Sequence, residues 1–118
     1  MFIKALKAKI HRANITDSQL EYPGSIGIDS DLLEASGIAN YEAVLVANVN
    51  NGERIETYVV PEPAGSGKIT ILGAAARKFE PKDVVIIISF GLYSPEEMRT
   101  HKPRVVLADH NNGIKETR

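Results

Sequence analysis

At 118 residues and 43% apolar content, the chain is long enough to bury one core and too short for two. Its 14 Lys and Arg against 15 Asp and Glu leave a net charge of -1, which offers no global field to a nucleic acid or an anionic membrane. The absence of cysteine removes disulfides, thiol catalysis and Cys-ligated zinc, and Lys4, Lys7 and Lys9 break the first apolar stretch, so that neither a signal-peptide core nor a membrane span is read there and a cytoplasmic protein is expected.

Along the chain, residues 2–12 place Phe2, Leu6, Ala8 and Ile10 on one face and Lys7, Lys9 and His11 on the other, the period of a half-buried strand. Residues 25–29 read as a second strand. Asp29-Ser30-Asp31 then supplies capping oxygens to a short helix ending near Ser36, with Gly37 just past its end. Residues 42–49 and 53–60 flank Asn50-Asn51-Gly52, a hairpin signal, because an Asn-Gly pair tolerates the positive φ of a tight turn. A Pro/Gly segment over residues 61–67 leads to a strand at residues 68–72 and then to Gly73-Ala74-Ala75-Ala76, whose small side chains permit close backbone approach. Residues 84–90 are continuously apolar, the pattern of a strand buried on both faces. Ser94-Pro95-Glu96-Glu97 fits a capping box, and residues 103–108 form a last strand before a polar tail. About six short strands without βαβ spacing predict a mainly β, small closed barrel with a few short helices, one domain over residues 1–118.

Several positions carry chemical interest. Ser25, in Tyr22-Pro23-Gly24-Ser25-Ile26-Gly27, lacks the glycine two residues earlier that a nucleophile elbow requires. A Gly-Ser bond also permits attack of the serine hydroxyl on the preceding carbonyl, where glycine offers least steric resistance; an ordinary turn is the plain alternative. Arg54, Glu56 and Tyr58 alternate on one face of the hairpin strand, with Ile55, Thr57 and Val59 on the other. A guanidinium suits a carboxylate and a phenol can deliver a proton, although a solvated strand face gives the same pattern. His11, His101 and His110 have no metal-ligand spacing, so no metal is expected. Gly65-Ser66-Gly67-Lys68 is a fragment of a phosphate loop without its first glycine, and reads as a hairpin loop.

Taken together, Lys9-Ile10-His11-Arg12-Ala13, Tyr22-Pro23-Gly24-Ser25, Asn51-Gly52-Glu53-Arg54, Thr57-Tyr58, Gly73-Ala74-Ala75-Ala76, Asp83-Val84-Val85-Ile86-Ile87 and Lys102-Pro103-Arg104-Val105-Val106 span nearly the whole chain. In this set the sequence resembles the bacterial aspartate 1-decarboxylases, pyruvoyl enzymes of pantothenate synthesis. The resemblance implies a double-psi β-barrel, assembled as a homotetramer with active sites between subunits. It implies self-cleavage between Gly24 and Ser25, assisted by Thr57, and conversion of Ser25 to a pyruvoyl cofactor that holds L-aspartate as a Schiff base and releases β-alanine. By the same resemblance Lys9 and Arg54 bind substrate carboxylates, Tyr58 reprotonates the carbon, and Gly73, Ala74 and Ala75 contact substrate through their backbone. One position departs: Leu72 stands where the family usually has asparagine, and leucine neither donates nor accepts a hydrogen bond. Leu72 favours the competing expectation of a processing-defective barrel that binds a small acidic metabolite without catalysis. A nucleic-acid module is disfavoured by the near-neutral charge and the few aromatic residues.

Overall fold

The computed structural model describes residues 1–118. In chain order the elements are β1 (Ile3–Asn14), β2 (Asp17–Gln19), β3 (Ser25–Asp29), α1 (Ser30–Ser36), β4 (Ala43–Asn48), β5 (Arg54–Glu62), β6 (Ile69–Leu72), a 3₁₀ helix (Gly73–Arg77), β7 (Val84–Tyr93), α2 (Pro95–Met98), β8 (Arg104–Ala108) and β9 (Ile114–Thr117). The nine strands form one sheet, ordered β2-β6-β3-β5-β4-β7-β1-β8-β9, wrapped around a single cluster of 19 buried apolar residues. This is a mainly β fold, as the sequence predicts for a small barrel.

Every residue of β3 is buried, because parallel β5 covers one edge and antiparallel β6 the other. Ile26 and Ile28 are fully enclosed, each contributing about 1.5–3 kcal/mol by burial. A one-residue slip would turn both out of the core, so their burial fixes the register that sets Ser25 opposite Leu72. At the other end of β3 the Asp29 carboxylate accepts hydrogen bonds from the backbone N–H groups of Asp31 (2.8 Å), Gly65 (3.1 Å) and Gly67 (2.8 Å). It thereby caps α1 and ties down the Pro/Gly loop. The N–H groups of the phosphate-loop fragment are thus turned onto an internal carboxylate. Gly37 ends α1 at φ 74, and Ser94 and Glu97 close the capping box of α2, both as the sequence indicates.

Four sequence expectations are corrected. Strand β7 is not buried on both faces: Val85, Ile87 and Ser89 point inward, while Val84, Ile86 and Ile88 are half-buried and Phe90 is exposed. The fully enclosed Ser89 hydroxyl donates to the Glu42 carboxylate, which also receives Lys7 at 2.8 Å. The alternation in β1 holds for Ala8 and Ile10 but not for Phe2, which lies before the strand and is exposed, and register irregularities after Leu6 and Ile10 interrupt the period. The hairpin between β4 and β5 has a longer loop than a two-residue turn, with Gly52 alone at positive φ, 78°. The sheet has nine strands rather than about six: seven match the ranges read in the sequence, and β2 and β9, which pair with β6 and β8, are additional.

Candidate active site

The Gly24–Ser25 bond lies where the chain enters the barrel wall, with Gly24 exposed and Ser25 buried as the first residue of β3. Strands β2 and β3 flank β6 on its two sides, Gln19 and Ser25 both pairing with Leu72. Residues 20–24 must therefore cross the end of β6. There Gly73 leaves the strand at φ 81 and starts the 3₁₀ helix, which Ser18 anchors by donating to the carbonyls of Ala76 (3.3 Å) and Phe79 (2.9 Å).

A cleft of about 370 Å³ opens beside the crossover, lined by Gly24, Ile55, Glu56, Thr57, Ala74, Ala75 and Lys78. Four residues singled out in the sequence, Gly24, Thr57, Ala74 and Ala75, thus line one cleft. Gly73 is buried and meets the crossover through its backbone. A Cβ on Gly73 would lie 2.7 Å from Gly24 Cα, a cradle that only glycine leaves open. Sequence reasoning missed Ile55, Glu56 and Lys78 in the lining. Lys78 sits just past the 3₁₀ helix and pairs with Glu53 at 3.0 Å, a position that no sequence period reveals.

Lys9, Arg54 and Tyr58 lie elsewhere. The alternation in β5 is as the sequence indicates, so Thr57 and Tyr58 take opposite faces; Tyr58 is 39% exposed and its ring is 6.3 Å from that of Tyr41. Lys9 is on β1, between Ile88 of β7 and Val105 of β8. That is four strand steps from β3, at about 4.8 Å each along the sheet. Cross-strand pairing puts Lys9, Ile88, Leu45 and Glu56 in one row, and Ile86, Ala47 and Arg54 in the next. Lys9 and Arg54 therefore share the outer face of the sheet, across a floor of half-exposed apolar side chains. Neither belongs to the three ion pairs of the chain, Lys7–Glu42, Lys78–Glu53 and Arg118–Glu116.

His11, two residues beyond Lys9, has its Nδ1 buried without a hydrogen-bond partner. Burial, reinforced by repulsion from Lys9, Arg12 and Arg118, holds its pKa below the ordinary imidazole value. It lines a separate cleft of about 490 Å³ with Arg12, Asn14, Asp109, His110 and Lys115, among others. No group of three or more His, Cys, Asp or Glu side chains is arranged for a metal, and no helix is long and apolar enough to cross a membrane.

Against known proteins, the aspartate decarboxylase family model matches residues 1–115. The aspartate 1-decarboxylase of Fervidobacterium nodosum is 53% identical over 113 residues, covering 96% of each chain. That of Pelotomaculum thermopropionicum is 52% identical over 118 residues, all of this chain and 89% of the relative. That of Bordetella avium is 49% identical over 113 residues, 96% of this chain and 93% of the relative. With the Gly24–Ser25 crossover, the Thr57 cleft and near-complete coverage agreeing, the chain belongs to the aspartate decarboxylase family.

Proposed function

We propose that the protein decarboxylates L-aspartate to β-alanine and carbon dioxide, the step that feeds pantothenate and coenzyme A synthesis, using a pyruvoyl group that it makes from its own Ser25. One observation supports this beyond the family match: Gly24 and Thr57 share a cleft at the only Gly-Ser junction that enters a strand. The cradle at Gly73 and the small Ala74 and Ala75 beside it fit a compact, backbone-derived group.

The chain's own residues supply maturation. Ser25 Oγ attacks the Gly24 carbonyl carbon, the Gly24–Ser25 C–N bond breaks, and an ester replaces the amide. Thr57, on the same cleft, offers a hydroxyl to polarise that carbonyl. Loss of the Ser25 α-proton then expels the Gly24 carboxylate and leaves dehydroalanine at the head of residues 25–118. Water displaces its nitrogen as ammonia. The pyruvoyl group so formed supplies an electrophilic carbonyl and a sink for the electron pair released with carbon dioxide.

Substrate recognition falls to the outer face. Lys9 and Arg54 carry unpaired positive charge suited to a dicarboxylate, Arg54 through two parallel hydrogen bonds. Gly73, Ala74 and Ala75 offer backbone to the substrate, and Tyr58 returns a proton to the carbon that loses carbon dioxide. Because Lys9 lies four strands from β3, a homotetramer with sites between subunits brings one copy's outer face onto another's cleft. The half-exposed floor of Leu45, Ala47, Ile86 and Ile88 suits such burial. A cytoplasmic location fits this biosynthetic role.

Intact mass tests the maturation: fragments of residues 1–24 and 25–118 are expected, the second without a free amine, and Ser25→Ala should stay whole. Wild-type chain that remains intact after prolonged warming, with and without cell extract, would favour the processing-defective barrel that Leu72 suggests. The cleaved protein should release carbon dioxide from L-aspartate without pyridoxal phosphate. Tyr58→Phe should cleave normally and turn over slowly; equal turnover would remove Tyr58 as sole proton donor.

A further inference from the structure

We propose that Gly73 is a positioning residue for self-cleavage: its missing side chain lets residues 22–24 lie flat across the end of β6 and holds the Gly24 carbonyl in reach of Ser25. The inference rests on the maturation reading above, and assigns Gly73 a task completed before any substrate is bound.

The topology creates the need. Strands β2 and β3 lie on opposite sides of β6, so the connection between them crosses over β6 just where that strand ends. Gly73 is the residue under the crossing. A Cβ built there would stand 2.7 Å from Gly24 Cα, 2.8 Å from Tyr22 O and 2.9 Å from Gly24 N. Real Cβ atoms do not approach so closely, and all three obstacles are backbone, which cannot rotate aside as a side-chain tip can. Anything larger than glycine must therefore move the crossover or the end of β6. The second is constrained, because Leu72 pairs with both Gln19 and Ser25 and the 3₁₀ helix beyond is held by Ser18. Displacement consequently falls on the crossover, and with it on the carbonyl that Ser25 attacks. Intramolecular attack depends steeply on alignment; a misplacement of about 1 Å slows such a reaction roughly a hundredfold.

Gly52 provides a matched control. Its φ of 78 is close to the 81 of Gly73, but a Cβ there has nothing within 4 Å. Alanine at either position suffers the same left-handed backbone penalty. Only alanine at Gly73 meets the crossover.

The test follows cleavage of freshly refolded wild-type, Gly73→Ala and Gly52→Ala chains by intact mass, with thermal melting of each substitution in the uncleavable Ser25→Ala background. Gly52→Ala should cleave at the wild-type rate. Gly73→Ala should melt cooperatively, close to Gly52→Ala, yet cleave about a hundredfold more slowly. Equal cleavage by the two variants would overturn the proposal, as would a Gly73→Ala chain without a cooperative transition, since the contact would then serve folding rather than cleavage. Wild-type chain that never cleaves would instead overturn the maturation reading on which the proposal stands.

Discussion

The crossover at Gly24 is exposed on its outer side and supported from below by its own chain, with β6 beneath it, Gly73 against its backbone and Thr57 on the adjoining cleft. The sheet face carrying Lys9 and Arg54 lacks such support: neither of these two cations has a carboxylate partner, and the apolar floor between them remains half-exposed. The difference divides the chemistry. On the proposed reading, what one chain does to itself needs only the crossover region, whereas substrate binding draws on the open face that the proposed assembly brings against another copy's cleft. Substitutions in the two regions should therefore separate cleavage from turnover.

The largest separation is expected at Arg54. Arg54→Ala should leave self-cleavage at the wild-type rate and lower kcat/KM for L-aspartate on the order of a hundred- to a thousandfold, since removing one partner of a desolvated charge pair costs about 2–5 kcal/mol. If the open face serves a neighbour, as proposed, co-expressing Arg54→Ala chains with uncleavable Ser25→Ala chains should restore part of the activity. The second chain lends its Arg54 to clefts matured by the first. Activity no higher in mixed assemblies than in Arg54→Ala alone would place Arg54 and Ser25 of a single site on the same chain.

The same division explains what the sequence disclosed. Features settled within a few residues were legible: the Asp29 and Gly37 caps, the Ser94–Glu97 box, and the alternation of Arg54, Glu56 and Tyr58. Strands that exist only through their partners were not. Strand β9 is exposed along its whole length and β2 has three residues, so neither leaves a burial period. The apolar run in β7 shows where the signal is ambiguous: a strand with one face in the core and one apolar face half-exposed gives the same run as a strand enclosed on both. The family resemblance pointed to Gly24, Thr57, Ala74 and Ala75 as well as to Lys9, but only the fold shows the four on one cleft and Lys9 apart from it.

A smaller effect is expected in the crossover region at Leu72, the departure from the family pattern. Its backbone pairs with Ser25, and its side chain is half-buried beside the reacting bond. Leu72→Asn should speed cleavage by about ten- to a hundredfold if the amide reaches the developing charge, the effect of one hydrogen bond to a charged group of about 1.5–3 kcal/mol. Cleavage half-times and melting temperatures measured on the same preparation decide the matter. A lower melting temperature with unchanged cleavage would mean that the site is built around an apolar residue, where an added amide finds no partner.

The smallest effect concerns acid, and falls on the other side of the division. Glu42 and His11 both lie away from the Gly24 cleft, and both have folded-state pKa values below their ordinary ones. For Glu42, burial acts to raise the value but is outweighed by hydrogen bonds from Lys7, Ser89 and the Ala39 N–H. For a depressed pKa the sign is the same in both cases: the group adds stability above its unfolded value and loses it as pH falls through the folded one. His11 should therefore erode stability as pH drops below 6.5, and Glu42 only below 4.5. Melting temperature of the Ser25→Ala chain should fall in these two stages. His11→Gln should flatten the upper stage and Glu42→Gln the lower, because neither amide titrates. Unchanged slopes in both variants would mean that the acid response of this half of the sheet comes from other groups, and that the buried Nδ1 of His11 remains hydrated in solution.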